Sequence, residues 1–189
     1  MSYVIKPLTP DLAKIFADFL GTLDFSHSPH WATCFCRFYY RNDSQQEWMA
    51  RSGEANRQEA IREIEQGKMT GYLAFDKDRC VGWCNAADVE RLLRLREDMR
   101  PYCGDRKVGC VICFVIHPEH RGQGVARALL AQAVEGFAAQ GYDAVIGLPF
   151  EGDMPPQKRY RGTQNMYGEL GFRKLDSQYN TSLMWKDLR

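Results

Sequence analysis

Residues Val108 to Arg127 read VGCVICFVIHPEHRGQGVAR, and this stretch decides the fold. Its first nine residues, Val108 to Ile116, carry no charge and are rich in β-branched side chains. Such a run is expected as a central strand buried on both faces. The loop His117 to Gly124 opens directly into Val125 to Gln140, where Leu129, Leu130, Ala133, Val134 and Phe137 fall on one helical stripe. Gly141 fits the end of that helix. A strand that feeds a helix through a glycine turn makes an anion cradle. The first amides of a helix lack internal partners, and the helix dipole favours negative charge. Gly122 and Gly124 keep side chains away from an approaching phosphate, Ala126 stays small, and Arg121 and Arg127 add cations.

On the N-terminal side, Tyr3 to Pro7 reads as a strand. Leu12, Ile15, Phe16, Phe19 and Leu20 make the apolar face of a helix capped by Thr9 or Asp11 and ended by Gly21. A polar helix is expected from Ser44 to Gln66, with Gly67 as its stop. Gly71 to Phe75 and Cys80 to Ala86 read as strands around a turn at Asp76 to Asp78. Asp88 to Arg96 reads as a short helix or irregular excursion, and Pro101 to Lys107 as a loop. On the C-terminal side follow a strand (Ala144 to Leu148), a loop (Phe150 to Arg161), a helix (Gly162 to Leu170, ended by Gly171) and two strands (Phe172 to Leu175, Ser182 to Trp185). At about 150 residues per domain, this order predicts one mixed α/β domain over residues 1–189.

Composition narrows the function. The 25 basic and 24 acidic residues leave a net charge of +1. Nucleic acid and a membrane surface are therefore not expected partners. Arg91, Arg94, Arg96 and Arg100 do cluster, but Glu90, Glu97 and Asp98 interleave with them. The first residues lack the apolar run of a signal peptide, so a cytoplasmic location is expected. The seven cysteines agree, being odd in number and set mostly in apolar runs. His27, His30, Cys34 and Cys36 are the correct residue types for zinc at the wrong spacing, and no metal is expected.

The glycine loop lacks the Gly-x-x-x-x-Gly-Lys-Ser/Thr pattern of a triphosphate site and the Gly-x-Gly-x-x-Gly of a dinucleotide site. What stands here is Arg121-x-x-Gly124-x-Ala126, after a strand and Pro118 and before an amphipathic helix. This resembles the acyl-CoA signature of the GNAT (Gcn5-related) N-acetyltransferase superfamily. Met166-Tyr167-Gly168-Glu169-Leu170-Gly171-Phe172 is similar to the family's second motif, Leu-Tyr-x-x-x-Gly-Phe. The resemblance is best from Val108 to Phe172 and loose over residues 22 to 69.

The resemblance implies a mostly antiparallel mixed sheet flanked by helices, splayed beside Val108 to Ile116. It implies acetyl-CoA as cosubstrate, with pantetheine along Phe114, Val115 and Ile116. The pyrophosphate would sit on the loop of Arg121, Gly122, Gln123, Gly124, Val125, Ala126 and Arg127. It implies direct transfer to an amine-bearing acceptor, with Tyr167 protonating the departing thiolate. Trp31, Tyr39, Tyr40, Trp83 and Asn85 would wall the acceptor pocket, although a second hydrophobic cluster under a long loop explains the aromatic segment equally well. Glu151 and Asp153, in the Pro155-Pro156 loop, could attract a cationic acceptor or be merely solvated.

Two departures stand out. Tyr160 occupies the place where many relatives carry a CoA-contacting Asn. The strand Val108 to Ile116 also lacks the usual carboxylate base, leaving His117, Glu119 or water. An acyl-CoA-binding sensor or assembly module is therefore the alternative to an enzyme. Homodimers are common among such folds, but no segment specifies an interface.

Overall fold

A computed structural model describes residues 3–155 and 158–189. Pro156, part of the proline loop noted above, lies outside the described residues. Seven strands form one sheet: β1 (Val4–Pro7), β2 (Gly71–Asp76), β3 (Arg79–Asp88), β4 (Val108–Ile116), β5 (Ala144–Gly147), β6 (Arg173–Gln178) and β7 (Thr181–Asp187). Their order is β1-β2-β3-β4-β5-β7-β6. Every pairing is antiparallel except β4 with β5. The mixed, mostly antiparallel expectation is met.

Among the described residues six α-helices flank the sheet: α1 (Ala13–Gly21), α2 (Gln45–Ala50), α3 (Gly53–Glu65), α4 (Arg96–Cys103), α5 (Val125–Ala139) and α6 (Gln164–Glu169). One core holds Phe16 and Leu20 of α1, Ile64 of α3, Met99 of α4 and Trp83 of β3. The other holds Leu129, Leu130 and Phe137 of α5 with Tyr167 of α6. Phe16 meets Trp83 edge-on at 4.8 Å, and each such buried ring contributes about 1.5–3 kcal/mol.

β4 has the bounds expected of it, and two irregularities in it place the site. Its ladder with β5 runs from Val108↔Ala144 to Val111↔Gly147 and stops there, while β4 continues to Ile116. The sheet thus splits after Val111. On the other side, the register slips between Asn85↔Cys113 and Ala86↔Val111, so Ile112 is an extra residue in β4. A one-residue bulge inverts the alternation beyond it. Val108, Cys110 and Ile112 face the α1 core, and so do Cys113 and Val115. Val111, Phe114 and Ile116 face the α5 core. At Gly109 a Cβ would lie 2.6 Å from the Phe137 ring, so the closeness of α5 depends on that glycine.

Three local expectations need correction. The polar helix Ser44 to Gln66 is two helices, because Arg51 and Ser52 are extended. Ser44 accepts from the Glu47 N–H in a capping box, and Ser52 accepts from the Ala55 N–H at 3.1 Å, so the second serine starts a second helix. Neither Thr9 nor Asp11 caps α1, which continues a 3-10 turn over Pro10–Leu12. The loop expected at Pro101 to Lys107 begins inside α4. That helix forgoes one backbone donor at Pro101 while burying Met99 and Cys103.

Candidate active site

The gap between β4 and β5 opens into a cavity of about 770 Å³. Phe114, Val115 and Ile116 line it from β4; Arg121, Gly122, Gly124, Val125, Ala126 and Arg127 line it from the glycine loop and the start of α5. Gly124 has φ +82° and Gly122 φ +72°, a left-handed conformation that side chains resist. A Cβ at either would meet nothing within 4 Å, so the turn requires these glycines by conformation, not by crowding. The first helical bond of α5 runs from the Ala128 N–H to the Gly124 carbonyl at 3.0 Å. The amides of Val125, Ala126 and Arg127 precede it and so have no partner within the helix.

Not every loop residue points inward. The Gln123 side chain accepts from the Tyr3 hydroxyl at 2.8 Å and donates to the Glu119 carbonyl at 2.7 Å, and it does not line the cavity. Arg127 forms an ion pair with Glu169. Arg121 Nε donates to the Ile116 carbonyl at 3.2 Å, and the Tyr160 carbonyl accepts from the Phe114 N–H at 2.6 Å. Tyr160, at the position of the missing Asn, thus meets β4 through its backbone.

Tyr167 is fully buried and is not among the residues that line the cavity; its hydroxyl donates to the Val111 carbonyl at 3.3 Å. Val111 is the last β4 residue paired with β5, so the phenol stands at the vertex of the split. Its ring fits there because Gly147 has no side chain; a Cβ would come within 2.1 Å of it. Burial pushes the phenol well above its ordinary pKa of 10, keeping the proton on oxygen.

The other end of the cavity is aromatic. Trp31, Phe38, Tyr39, Trp48 and Tyr160 line it together with Asn85. Asn85 accepts from the Tyr40 hydroxyl at 3.0 Å, and its Nδ2 is buried without a partner among the described residues. Trp83 corrects an expectation. It lies beneath this wall, with its indole N–H on Cys36 Sγ at 3.1 Å, and does not line the cavity. Tyr40 too lies behind the lining residues.

Arg161 is the residue that sequence reasoning missed. Its guanidinium donates to the Tyr39 hydroxyl at 2.6 Å and to Thr181 Oγ1 at 3.3 Å, and it stacks 4.4 Å from the Phe150 ring centre. Its segment has no periodicity, and nothing but its charge marked it.

The acid and metal alternatives resolve as follows. Among the described residues, no Asp or Glu lines the cavity. Glu151 is held by Lys174 and Ser182, and Asp153 is exposed. His117 lies outside the cavity with Arg79 at 2.8 Å, and burial followed by that guanidinium lowers its pKa. Glu119 is exposed and pairs with Arg79. The donor atoms of His27, His30, Cys34 and Cys36 do not converge as a metal set among the described residues. The Cys36 and Cys113 sulfurs are 3.7 Å apart; that contact and burial push the Cys36 thiol well up, so it stays protonated.

A gap at a strand edge beside a glycine turn that starts a helix is the arrangement that the resemblance to the acyl-CoA-using transferases implied, and the comparisons identify the family. The chain matches the Acetyltransferase (GNAT) family over residues 31–172 and belongs to it. The match reaches well upstream of the segment where the resemblance was best. Acetyl transfer from acetyl-CoA is the chemistry of that family. Among solved structures, a mosquito arylalkylamine N-acetyltransferase like 5b is similar at 13% identity and TM-score 0.62, covering 98% of this chain and 100% of the other. An acetyltransferase of the GNAT family from Streptococcus pneumoniae is similar at 15% identity and TM-score 0.56, covering 98% and 99%. The PaiA N-acetyltransferase from Thermoplasma acidophilum, in complex with coenzyme A, is similar at 14% identity and TM-score 0.56, covering 99% of each chain. At these identities the likeness is one of fold. No curated protein sequence matches the chain.

Proposed function

We propose that the chain, as one domain, is an N-acetyltransferase that passes the acetyl group of acetyl-CoA directly to an amine. One observation carries the reading: the stretch of β4 beyond Val111, where it parts from β5, and the first amides of α5 border the same cavity. Pantetheine is a chain of amides, and it would add to β4 as an extra strand at Phe114 and Ile116. Two of those backbone groups already bond to Tyr160 and Arg121, so binding there exchanges hydrogen bonds and does not create them anew. The pyrophosphate would rest on the Val125, Ala126 and Arg127 amides.

In this reading the acceptor nitrogen attacks the thioester carbonyl near the vertex. The C–S bond breaks as the C–N bond forms, Tyr167 gives its proton to the departing sulfur, and the proton that the attacking nitrogen loses restores the phenol. Desolvation that holds the phenol protonated also raises the basicity of a thiolate in the same place, so burial acts on both partners in the same direction. Asn85 Nδ2 supplies a buried donor to the acceptor side. All seven cysteines are free, which supports a reducing, cytoplasmic setting. No helix of the described residues is long and apolar enough to cross a membrane.

Calorimetric titration tests the donor site. Acetyl-CoA should bind at micromolar Kd, and NADH and ATP should not. Gly124→Glu should abolish binding, because a carboxylate there repels the pyrophosphate and the left-handed φ strains the side chain. Unchanged affinity in that variant would remove the site assignment. Because no carboxylate base lines the cavity, an acyl-CoA-binding module remains the second reading. Binding with no turnover of any amine would favour it.

A further inference from the structure

The acceptor end of the cavity has a charge pattern that the transferase reading alone does not use. The lining of the whole cavity includes Arg121, Arg127, Arg159 and Arg161, and no acid among the described residues. Arg121 and Arg127 belong to the anion cradle, and Arg127 is already paired with Glu169. Arg161 lies at the other side, beside Tyr39 and Tyr160 and one residue beyond the carbonyl that bonds to β4. Its two bonds go to neutral hydroxyls, and its Nε is buried with no partner among the described residues. A largely buried guanidinium held only by hydroxyls and aromatic faces is costly unless an anion completes it. Its planar fork suits a carboxylate.

We propose that the acceptor is a small α-amino acid whose carboxylate is bound by Arg161 while its amine reaches the thioester and its side chain meets the aromatic wall. This rests on the transferase reading above. It excludes polyamines, since the cavity offers them arginines and no acid. The hydroxyl of Tyr39 positions the guanidinium.

The test has two arms on the wild-type protein. First, acetyl-CoA affinity is titrated alone. Second, thiol release from acetyl-CoA, and binding to the CoA-saturated protein, are measured with matched pairs: phenylalanine against phenethylamine, tryptophan against tryptamine, leucine against isoamylamine. O-Phosphoethanolamine and spermidine complete the panel. At least one amino acid should exceed its decarboxylated partner by 10-fold or more in kcat/KM and in affinity. Arg161→Gln should raise KM for that amino acid about 10- to 150-fold, the range for losing a charged hydrogen bond, with a smaller change in kcat. Arg161→Lys should recover part of the loss, and Tyr39→Phe should raise the same KM less. Acetyl-CoA binding in Arg161→Gln reports that the variant is folded.

A preference for the decarboxylated amines or spermidine overturns the proposal and leaves the transferase reading intact. A 10-fold preference for O-phosphoethanolamine overturns the carboxylate assignment. Failure of every amino acid to bind the CoA-saturated protein overturns it as well. Failure of acetyl-CoA itself to bind overturns the reading beneath it.

Discussion

In the transferase reading, Tyr167 is the residue whose hydroxyl sets the rate. It is anchored by α6, buried against Gly147, and aimed at the Val111 carbonyl where the sheet splits. Tyr167→Phe keeps the ring and its packing, and the 3.3 Å bond to Val111 is long, so stability should fall by no more than about 1 kcal/mol. Acetyl-CoA affinity should hold, and kcat should drop about 100-fold if the phenol supplies the proton. Titration and steady-state kinetics on the variant check both. An unchanged kcat would reduce Tyr167 to a packing residue. This side chain was legible because it falls within a motif whose spacing fixes a helix and a strand. Arg161 was not legible. It lies in an aperiodic loop, and its partners Tyr39, Phe150 and Thr181 come from three distant parts of the chain. Trp83 misled for the converse reason: an aromatic on an apolar strand faces one of two sides, and a bulge and a buried thiol settle which.

At the scale of elements, the aromatic segment that walls the pocket is tied to α3 by one carboxylate. Glu59 accepts from Arg41 at 2.5 Å and Arg51 at 2.7 Å, and lies 3.6 Å from Arg37. Arg37 is 3% exposed, with Nε and Nη1 otherwise unpartnered among the described residues. Glu59→Gln leaves that buried cation uncompensated, and should cost about 3 kcal/mol in urea unfolding. Asp18→Asn, which breaks the exposed pairs with Lys14 and Arg57, should cost under about 1 kcal/mol. Equal losses would show that Glu59 is not the clamp. Strand and helix periodicity revealed β4 and α5 from sequence, since their apolar patterns are long and unbroken. The break between α2 and α3 was hidden, because both halves are polar and the second cap, Ser52, looks like any surface serine. The bulge at Ile112 was hidden too. Every side chain near it is apolar, so an inverted alternation leaves no trace in the pattern.

Across the whole molecule, near-neutral charge conceals an uneven distribution. The net charge is +1, yet the described lining of the cavity holds arginines and no acids. In the transferase reading, that asymmetry bears on how the amine arrives. With no carboxylate among the described lining residues to take its proton, and with Arg159 and Arg161 disfavouring an ammonium, the acceptor should bind in its neutral form. The rate should therefore follow the acceptor's own titration. For two accepted amines whose pKa values differ by about one unit or more, kcat/KM should rise tenfold per pH unit and level off at each free amine's pKa. The kcat profile, which reports the bound complex, should level off lower, because nearby positive charge pushes an ammonium pKa down. The sign is diagnostic, since an acidic pocket would move the second break upward. A break at one fixed pH for both amines would assign the proton to a group of the enzyme.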